Sequence, residues 1–163
     1  TAQLMRDFGC VQSPINAYML NLGLESLHVR MARHCENGQA VAEFLASHPK
    51  IAYVNYCGLP GDKYHAVAEK YLPNGSCGVV SFGVKGGRKA AAAFMGHLKI
   101  AAIETHVADA RTCCLHPASS THRQMNDEQL IAAGVQPDLV RMSCGLEDKN
   151  DLIHDIAQAL DQI

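Results

Sequence analysis

The sequence predicts an α+β fold, a small mixed or antiparallel sheet with helices packed on one face and a long helix at its N-terminal end. Three observations predict it. Short β-branched and aromatic runs alternate with helical stretches from Ile51 onward, and clusters of Gly, Pro and Asn separate them. The chain is 163 residues long, one domain's length, enough to bury about 70% of its unfolded surface around a single core.

The elements follow in order. Ser13-Pro14 starts a helix, since serine can cap free amide donors and proline suits the first turn. That helix is expected to run to Ser47-His48-Pro49, because Leu24, Leu27, Met31, Cys35, Gly38, Ala42 and Leu45 recur at spacings of three and four. At 1.5 Å per residue it approaches roughly 50 Å, more than a small domain covers, so part of it is expected to bridge to another body of protein. Two helices broken near Gly23 or Gly38 are the alternative. Residues 51–56 read as a strand closed by Gly58-Leu59-Pro60-Gly61, and residues 63–72 as a short helix. Residues 78–84 form a second strand. Gly86-Gly87 then turns into an alanine-rich helix over residues 88–95.

Residues 101–105 and 112–116 are two further strands, with the loop His106-Val107-Ala108-Asp109 between them. Asn126-Asp127-Glu128 starts a helix with a capping residue and dipole-favoured acids, and Gly134 stops it. Residues 139–143 are the last strand. From Asp148 or Asn150 the chain ends as an amphipathic helix with Leu152, Ile153, Ile156, Leu160 and Ile163 on one side.

Composition excludes several classes of function. A net charge of −2 with 18% charged residues gives neither the basic stripe of a nucleic-acid binder nor the bias of a disordered tail. No apolar run reaches the roughly 20 residues that span a bilayer, and Thr1-Ala2-Gln3 opens no signal sequence; no membrane partner and a cytoplasmic location are expected. The seven cysteines form no Cys-x-x-Cys pair, so reduced, buried thiols are expected and no metal site. The histidines are scattered: His28 and His34 are read as structural, and His48 marks a helix end. There is no Gly-x-Gly-x-x-Gly and no Gly-x-Ser-x-Gly, hence no dinucleotide loop and no serine-hydrolase elbow.

The chemistry concentrates in Thr105-His106-Val107-Ala108-Asp109-Ala110-Arg111-Thr112, in residues 116–122, and in Val140-Arg141-Met142-Ser143-Cys144-Gly145-Leu146-Glu147-Asp148. Arg141 lies in an alternating strand, where a guanidinium can point out of the sheet at a cleft. Its planar fork matches a carboxylate with two parallel hydrogen bonds, a geometry lysine does not reproduce. Read alone, such an arginine either grips an anion or pairs with a protein acid. His106 stands at a strand end. Asp109 and Arg111 are read as a pair that shapes the loop.

These segments resemble the C-terminal domain of the pyridoxal-phosphate (PLP) enzymes of cysteine and methionine metabolism, and the His-Val-Ala-Asp-Ala-Arg-Thr version is most similar to the O-acetylhomoserine sulfhydrylase branch. Ser13-Pro14-Ile15-Asn16-Ala17, Leu22 to Leu27, Arg30-Met31, His34, Asn37, Tyr56, Gly58-Leu59 and Ser81-Phe82 follow the family's order, so the resemblance covers nearly the whole chain. It departs from the family at Ser26, Cys57, Cys77, Cys114 and Cys144.

The resemblance implies that residues 1–163 are the small C-terminal domain of a fold-type I PLP transferase. Arg141 would hold the α-carboxylate of the amino-acid substrate, and His106 would line or orient the site. Residues 116–122 would cross under it in a structural role. PLP chemistry needs a Schiff-base lysine, an acid for the pyridinium nitrogen and a phosphate cradle. Lys50, Lys63, Lys70, Lys85, Lys89, Lys99 and Lys149 show no such setting, so no catalytic or cofactor-binding residue is assigned here and no PLP is expected on this chain alone. The PLP-binding large domain is expected to lie outside it, in a parent enzyme that replaces the γ-substituent of O-acetylhomoserine with sulfide or a thiol, as a homotetramer or other homo-oligomer. A methionine or cystathionine γ-lyase or a cystathionine γ-synthase is the enzymatic alternative, and a free-standing interaction module is the non-enzymatic one.

Overall fold

A computed structural model describes residues 2–163, which divide into two compact units at the boundary between Arg30 and Met31. The first unit contains α1 (Ala2–Phe8), which the sequence reading did not assign, and α2 (Pro14–Glu25). Ser13 caps α2 as expected: its Oγ accepts from the Asn16 amide at 3.3 Å. Neither helix buries a residue.

The single long helix is corrected to two. At Ser26 the backbone has φ −104° and ψ 5°, outside the helical basin. The Gly23 carbonyl accepts from the Arg30 guanidinium, whose Nε also donates to Ser26 Oγ at 3.3 Å. The break thus falls near Gly23. Beyond it α3 (Leu27–Ser47) runs on, but its stripe is buried only in the later turns, at His34, Asn37, Gly38, Val41, Ala42 and Leu45. Leu24, Leu27 and Met31 are 60%, 38% and 36% exposed.

The second unit is built on a five-stranded sheet of order β1-β2-β5-β4-β3. Its strands are β1 (Ile51–Asn55), β2 (Val79–Val84), β3 (Ala102–Ile103), β4 (Cys113–Leu115) and β5 (Leu139–Ser143). β1–β2, β2–β5 and β4–β5 pair antiparallel, whereas β3–β4 pair parallel; the sheet is therefore mixed. Side chains alternate across a strand. Val80, Phe82, Val84, Val140 and Met142 enter the core with Val41 and Leu45 of α3, Ala91 and Phe94 of α5 (Gly87–His97), and Leu152, Ile156 and Leu160 of α7 (Lys149–Asp161). Phe82 and Phe94 meet edge to face, centroids 5.8 Å apart, a favourable aromatic geometry. The helices thus cover one face, and the face carrying Ser81 and Arg141 lies on the other side of the strands.

The remaining elements are α4 (His65–Tyr71), a short 3-10 turn at Pro117–Ser119, and α6 (Asp127–Ala132). Asn126 and Gln129 form a reciprocal capping box on α6, and Gly134 beyond it has φ 79°, the left-handed position glycine reaches without a Cβ clash. Asp148 caps α7 by accepting from the Asn150 amide at 2.8 Å. α5 and β3 are joined over Asp155, 4% exposed, whose carboxylate accepts from the amides of Lys99, Ile100 and Ala101 at 2.8, 2.9 and 3.1 Å.

The thiols follow the expectation only in part. All seven are free, but Cys113, Cys114 and Cys144 alone are buried; Cys35, Cys57 and Cys77 are half-buried and Cys10 is exposed. Burial pushes the Cys144 thiol up to about 12 and the Cys114 thiol up as well, so both stay protonated at neutral pH. No helix of the described residues is long and apolar enough to cross a membrane.

Candidate functional site

Parallel neighbours cannot be joined by a tight hairpin, so the chain leaving β3 must return to the start of β4 before pairing with it. Residues 104–112 make that return as an irregular loop in which Ala108 takes φ 59°, a left-handed conformation that costs a residue with a Cβ. The strand order therefore creates the loop, and the loop carries Thr105 and His106.

Arg141 sits in β5, the central strand, directly opposite Ser81 on β2 and Leu115 on β4. Together with Thr105, Pro117 and His122 these residues line a cleft of about 490 Å³. The segment over residues 116–122 thus borders the cleft, while His116 itself is buried and held by Ser119 Oγ at 2.9 Å and the Pro137 carbonyl at 2.9 Å. The Arg141 guanidinium donates from Nη2 to the Thr105 carbonyl at 2.7 Å. No carboxylate of the described residues lies within 4.0 Å of it, and its buried Nε–H has no protein partner. Of the two readings open to a strand arginine, pairing with a protein acid is therefore not the one adopted.

His106 does not join Arg141 in the lining of the cleft. Its side chain is 63% exposed, with Nδ1 3.2 Å from Glu104 Oε2 and 3.6 Å from Asp109 Oδ2. The Asp109 carboxyl is held below its usual range, first by the Arg111 amide and then by the Arg111 and His106 charges. The expected Asp109–Arg111 pair is corrected: the Arg111 amide donates to Asp109 Oδ1 at 3.0 Å, but its guanidinium goes to Glu104 Oε1 at 3.1 Å. Glu104, at the start of the loop, reaches Arg111 because both ends of the loop lie at the β3–β4 pair.

The segment after Arg141 is chiefly a fastening. Ser143 Oγ accepts from the Ala108 amide at 3.0 Å. The Cys144 carbonyl lies 2.7 Å from His34 Nδ1, and Asn37 Nδ2 donates to the carbonyls of Gly145 and Glu147 at 2.9 and 2.8 Å. A Cβ on Gly145 would stand 2.5 Å from backbone atoms of Ala110, Arg111 and Thr112, so only glycine admits the loop at this distance. Glu147 accepts from both the amide and the hydroxyl of Thr112, at 2.6 and 2.8 Å. Sequence reasoning named Thr105 and Thr112 in the motif and Ser81 in the family's order but gave none of them a role. The register of Ser81 opposite Arg141 and the contacts of Thr105 and Thr112 across the loop leave no periodic signal.

Five of the seven lysines are occupied elsewhere. Lys50 caps the C-terminal end of α7 through the Leu160 and Ile163 carbonyls at 2.8 and 2.7 Å, Lys85 reaches the Pro49 carbonyl at 2.7 Å, and Lys149 pairs with Glu36 at 2.9 Å. Lys63 and Lys70 lie over the rings of their neighbours Tyr64 and Tyr71. None lines the Arg141 cleft. The residues lining the cleft fit an anchor for an anion.

Residues 1–161 match the family described as Cys/Met metabolism PLP-dependent enzymes. The chain is 44% identical to an O-acetyl-L-homoserine sulfhydrylase of Leptospira meyeri, over 99% of this chain and 37% of that protein. It is 43% identical to a homocysteine synthase of Schizosaccharomyces pombe, over 98% of this chain and 37% of that one. Among solved structures, an O-acetylhomoserine (thiol)-lyase of Campylobacter jejuni, containing N'-pyridoxyl-lysine-5'-monophosphate, superposes with a TM-score of 0.86 at 38% identity, over 96% of this chain and 37% of that one. The chain thus spans little more than a third of the length of these relatives.

Proposed function

Since the chain belongs to the family of Cys/Met metabolism PLP-dependent enzymes, we propose that residues 1–163 are the C-terminal domain of a longer O-acetylhomoserine sulfhydrylase, with Arg141 as the anchor of the substrate's α-carboxylate. The observation that carries this reading is the state of the guanidinium. It opens on a cleft, spends one donor on the Thr105 carbonyl and has no acid beside it among the described residues. A cation placed so is electrostatically suited to an anionic ligand, and its fork matches a carboxylate with two parallel hydrogen bonds.

In this reading the rest of the enzyme holds PLP, which supplies electron withdrawal from the bound amino acid. This chain's residues bind and orient. Arg141 fixes the carboxylate end of O-acetylhomoserine, and Ser81 and Leu115 on either side of it bound the space the substrate enters. His106, held between Glu104 and Asp109 one residue beyond Thr105, orients the loop at the rim. Fixing one end of the substrate converts an encounter into a positioned reaction, the effect that orientation contributes to rate. The products are homocysteine or methionine, according to whether sulfide or a thiol attacks.

The names of the two relatives support the choice of sulfhydrylase. The free, buried Cys113, Cys114 and Cys144 agree with a reducing compartment such as the cytoplasm, and a homo-oligomer of the longer protein follows from the family resemblance. The test is the longer enzyme supplied with O-acetylhomoserine and sulfide. Homocysteine formation supports the reading, and release of 2-oxobutanoate without sulfur incorporation replaces it with a γ-lyase.

A further inference from the structure

We propose that Glu147 is a positioning residue for Arg141: by clamping Thr112 it fixes the loop whose Thr105 carbonyl aims the guanidinium. The inference rests on the reading of Arg141 as a carboxylate anchor.

Glu147 uses both carboxylate oxygens on one residue, Oε1 on the Thr112 amide at 2.6 Å and Oε2 on the Thr112 hydroxyl at 2.8 Å. That hydroxyl in turn accepts from the Gly145 amide at 2.8 Å, so Glu147, Thr112 and Gly145 close a ring of hydrogen bonds. The Leu146 amide adds a bond to the Ala110 carbonyl at 2.8 Å. Glu147 is itself tied to α3, since its backbone carbonyl accepts from Asn37 at 2.8 Å. The far end of the loop is therefore fastened to the segment immediately following β5, the strand that carries Arg141.

The other contacts of the loop divide into two kinds. Ser143 Oγ holds the Ala108 amide, and the Glu104 amide bonds to the Cys114 carbonyl at 3.2 Å; these bind it to the sheet. Glu104, His106, Asp109 and Arg111 hold one another, which shapes the loop without attaching it. Ala108 at φ 59° is a conformation that persists only where the surroundings over-determine it. Loosening the clamp lets the loop relax, and the Thr105 carbonyl, 2.7 Å from Arg141 Nη2, moves with it. A displacement of about 1 Å in a positioning group can cost on the order of 100-fold.

The experiment uses the longer enzyme that contains this chain, with Thr112→Val, Thr112→Ser, Glu147→Gln and Arg141→Ala singly, and the first and third also combined with Arg141→Ala. Thr112→Val and Glu147→Gln are expected to raise KM for O-acetylhomoserine about tenfold with kcat changed much less, within the range such misplacement produces. Thr112→Ser, which keeps the hydroxyl, restores KM to within about twofold. In the Arg141→Ala background the same substitutions leave KM unchanged, because coupled groups are not additive. Equal effects in both backgrounds, or unchanged KM in folded Thr112→Val, overturn the proposal. Should Glu147→Gln fail to fold, the Thr112 pair decides. An Arg141→Ala enzyme with unaltered KM overturns it too, and that result is recognisable as failure of the anchor itself.

Discussion

Replacing Arg141 by alanine in the longer enzyme removes both donors that a carboxylate would take. Each charge-assisted hydrogen bond contributes about 1.5 to 3 kcal/mol. The cleft is open and of about 490 Å³, so water replaces part of the lost interaction and the lower figure applies to each bond. Two bonds then contribute about 3 kcal/mol, which corresponds to a loss on the order of 100-fold in kcat/KM. Arg141→Lys keeps the charge and loses the fork, and is expected to recover about tenfold of that loss. The assay is homocysteine formation from O-acetylhomoserine and sulfide, with PLP occupancy followed by absorbance and expected to stay unchanged. 3-Aminopropyl acetate, which has the amine and the acetyl group without the carboxylate, serves as a competitive inhibitor and should bind Arg141→Ala as it binds the parent. Unchanged kcat/KM, or equal weakening for the inhibitor that has no carboxylate, refutes the reasoning.

Further outcomes are expected. Gly145→Ala places a Cβ 2.5 Å from loop backbone and should lower stability by about 1 to 3 kcal/mol as overpacking does, read as a fall in Tm. Asp155→Ala strips the acceptor from three amides, of which that of buried Ala101 cannot turn to water, and should cost about 1 to 3 kcal/mol in a denaturant melt. Burial raises the Cys144 thiol from 9.0 to about 12 and also raises Cys114, Tyr53 and Tyr56. Their contribution to stability is complete below pH 9 and is lost as pH rises toward 12, so Tm should decline across that window; a flat profile contradicts it. Iodoacetamide at neutral pH should label exposed Cys10 well ahead of Cys114 and Cys144 in the folded protein, as read by mass spectrometry. The natural reading frame upstream of Thr1 should encode a domain with a Schiff-base lysine and a phosphate-binding loop, whereas a start codon beside Thr1 would favour an interaction module.

Most of the second unit was legible because its signals are local. Alternation gave β5 over Leu139–Ser143, the cap at Asn126 and the stop at Gly134 lie where the sequence placed them, and of the two starts offered for the last helix the structure takes Asp148; in the first unit the cap at Ser13 is also where it was expected. Arg141 was legible as a residue that could face a cleft, and the motif around it carried the family resemblance. What surrounds it was not. The carbonyl that aims it belongs to Thr105, the clamp joins Thr112 to Glu147, and His34 and Asn37 reach the Cys144–Glu147 segment across more than a hundred residues. Such contacts exist only after the sheet has formed and have no period to reveal them. The break at Ser26 was obscured for another reason: an apolar stripe at spacings of three and four continues through it, and the stripe predicts helix whether or not the chain buries it. Asp155 reads in sequence as one more polar position of an amphipathic helix, yet it lies inside, beneath the three amides that open the way into β3.

The most direct test of the carboxylate anchor is a crystal structure of the longer enzyme with a carboxylate-bearing analogue of O-acetylhomoserine. The account predicts both carboxylate oxygens on the Arg141 guanidinium at about 2.7 to 2.9 Å, with Nη2 still donating to the Thr105 carbonyl. A carboxylate held by other residues, with Arg141 unchanged in its cleft, would contradict it.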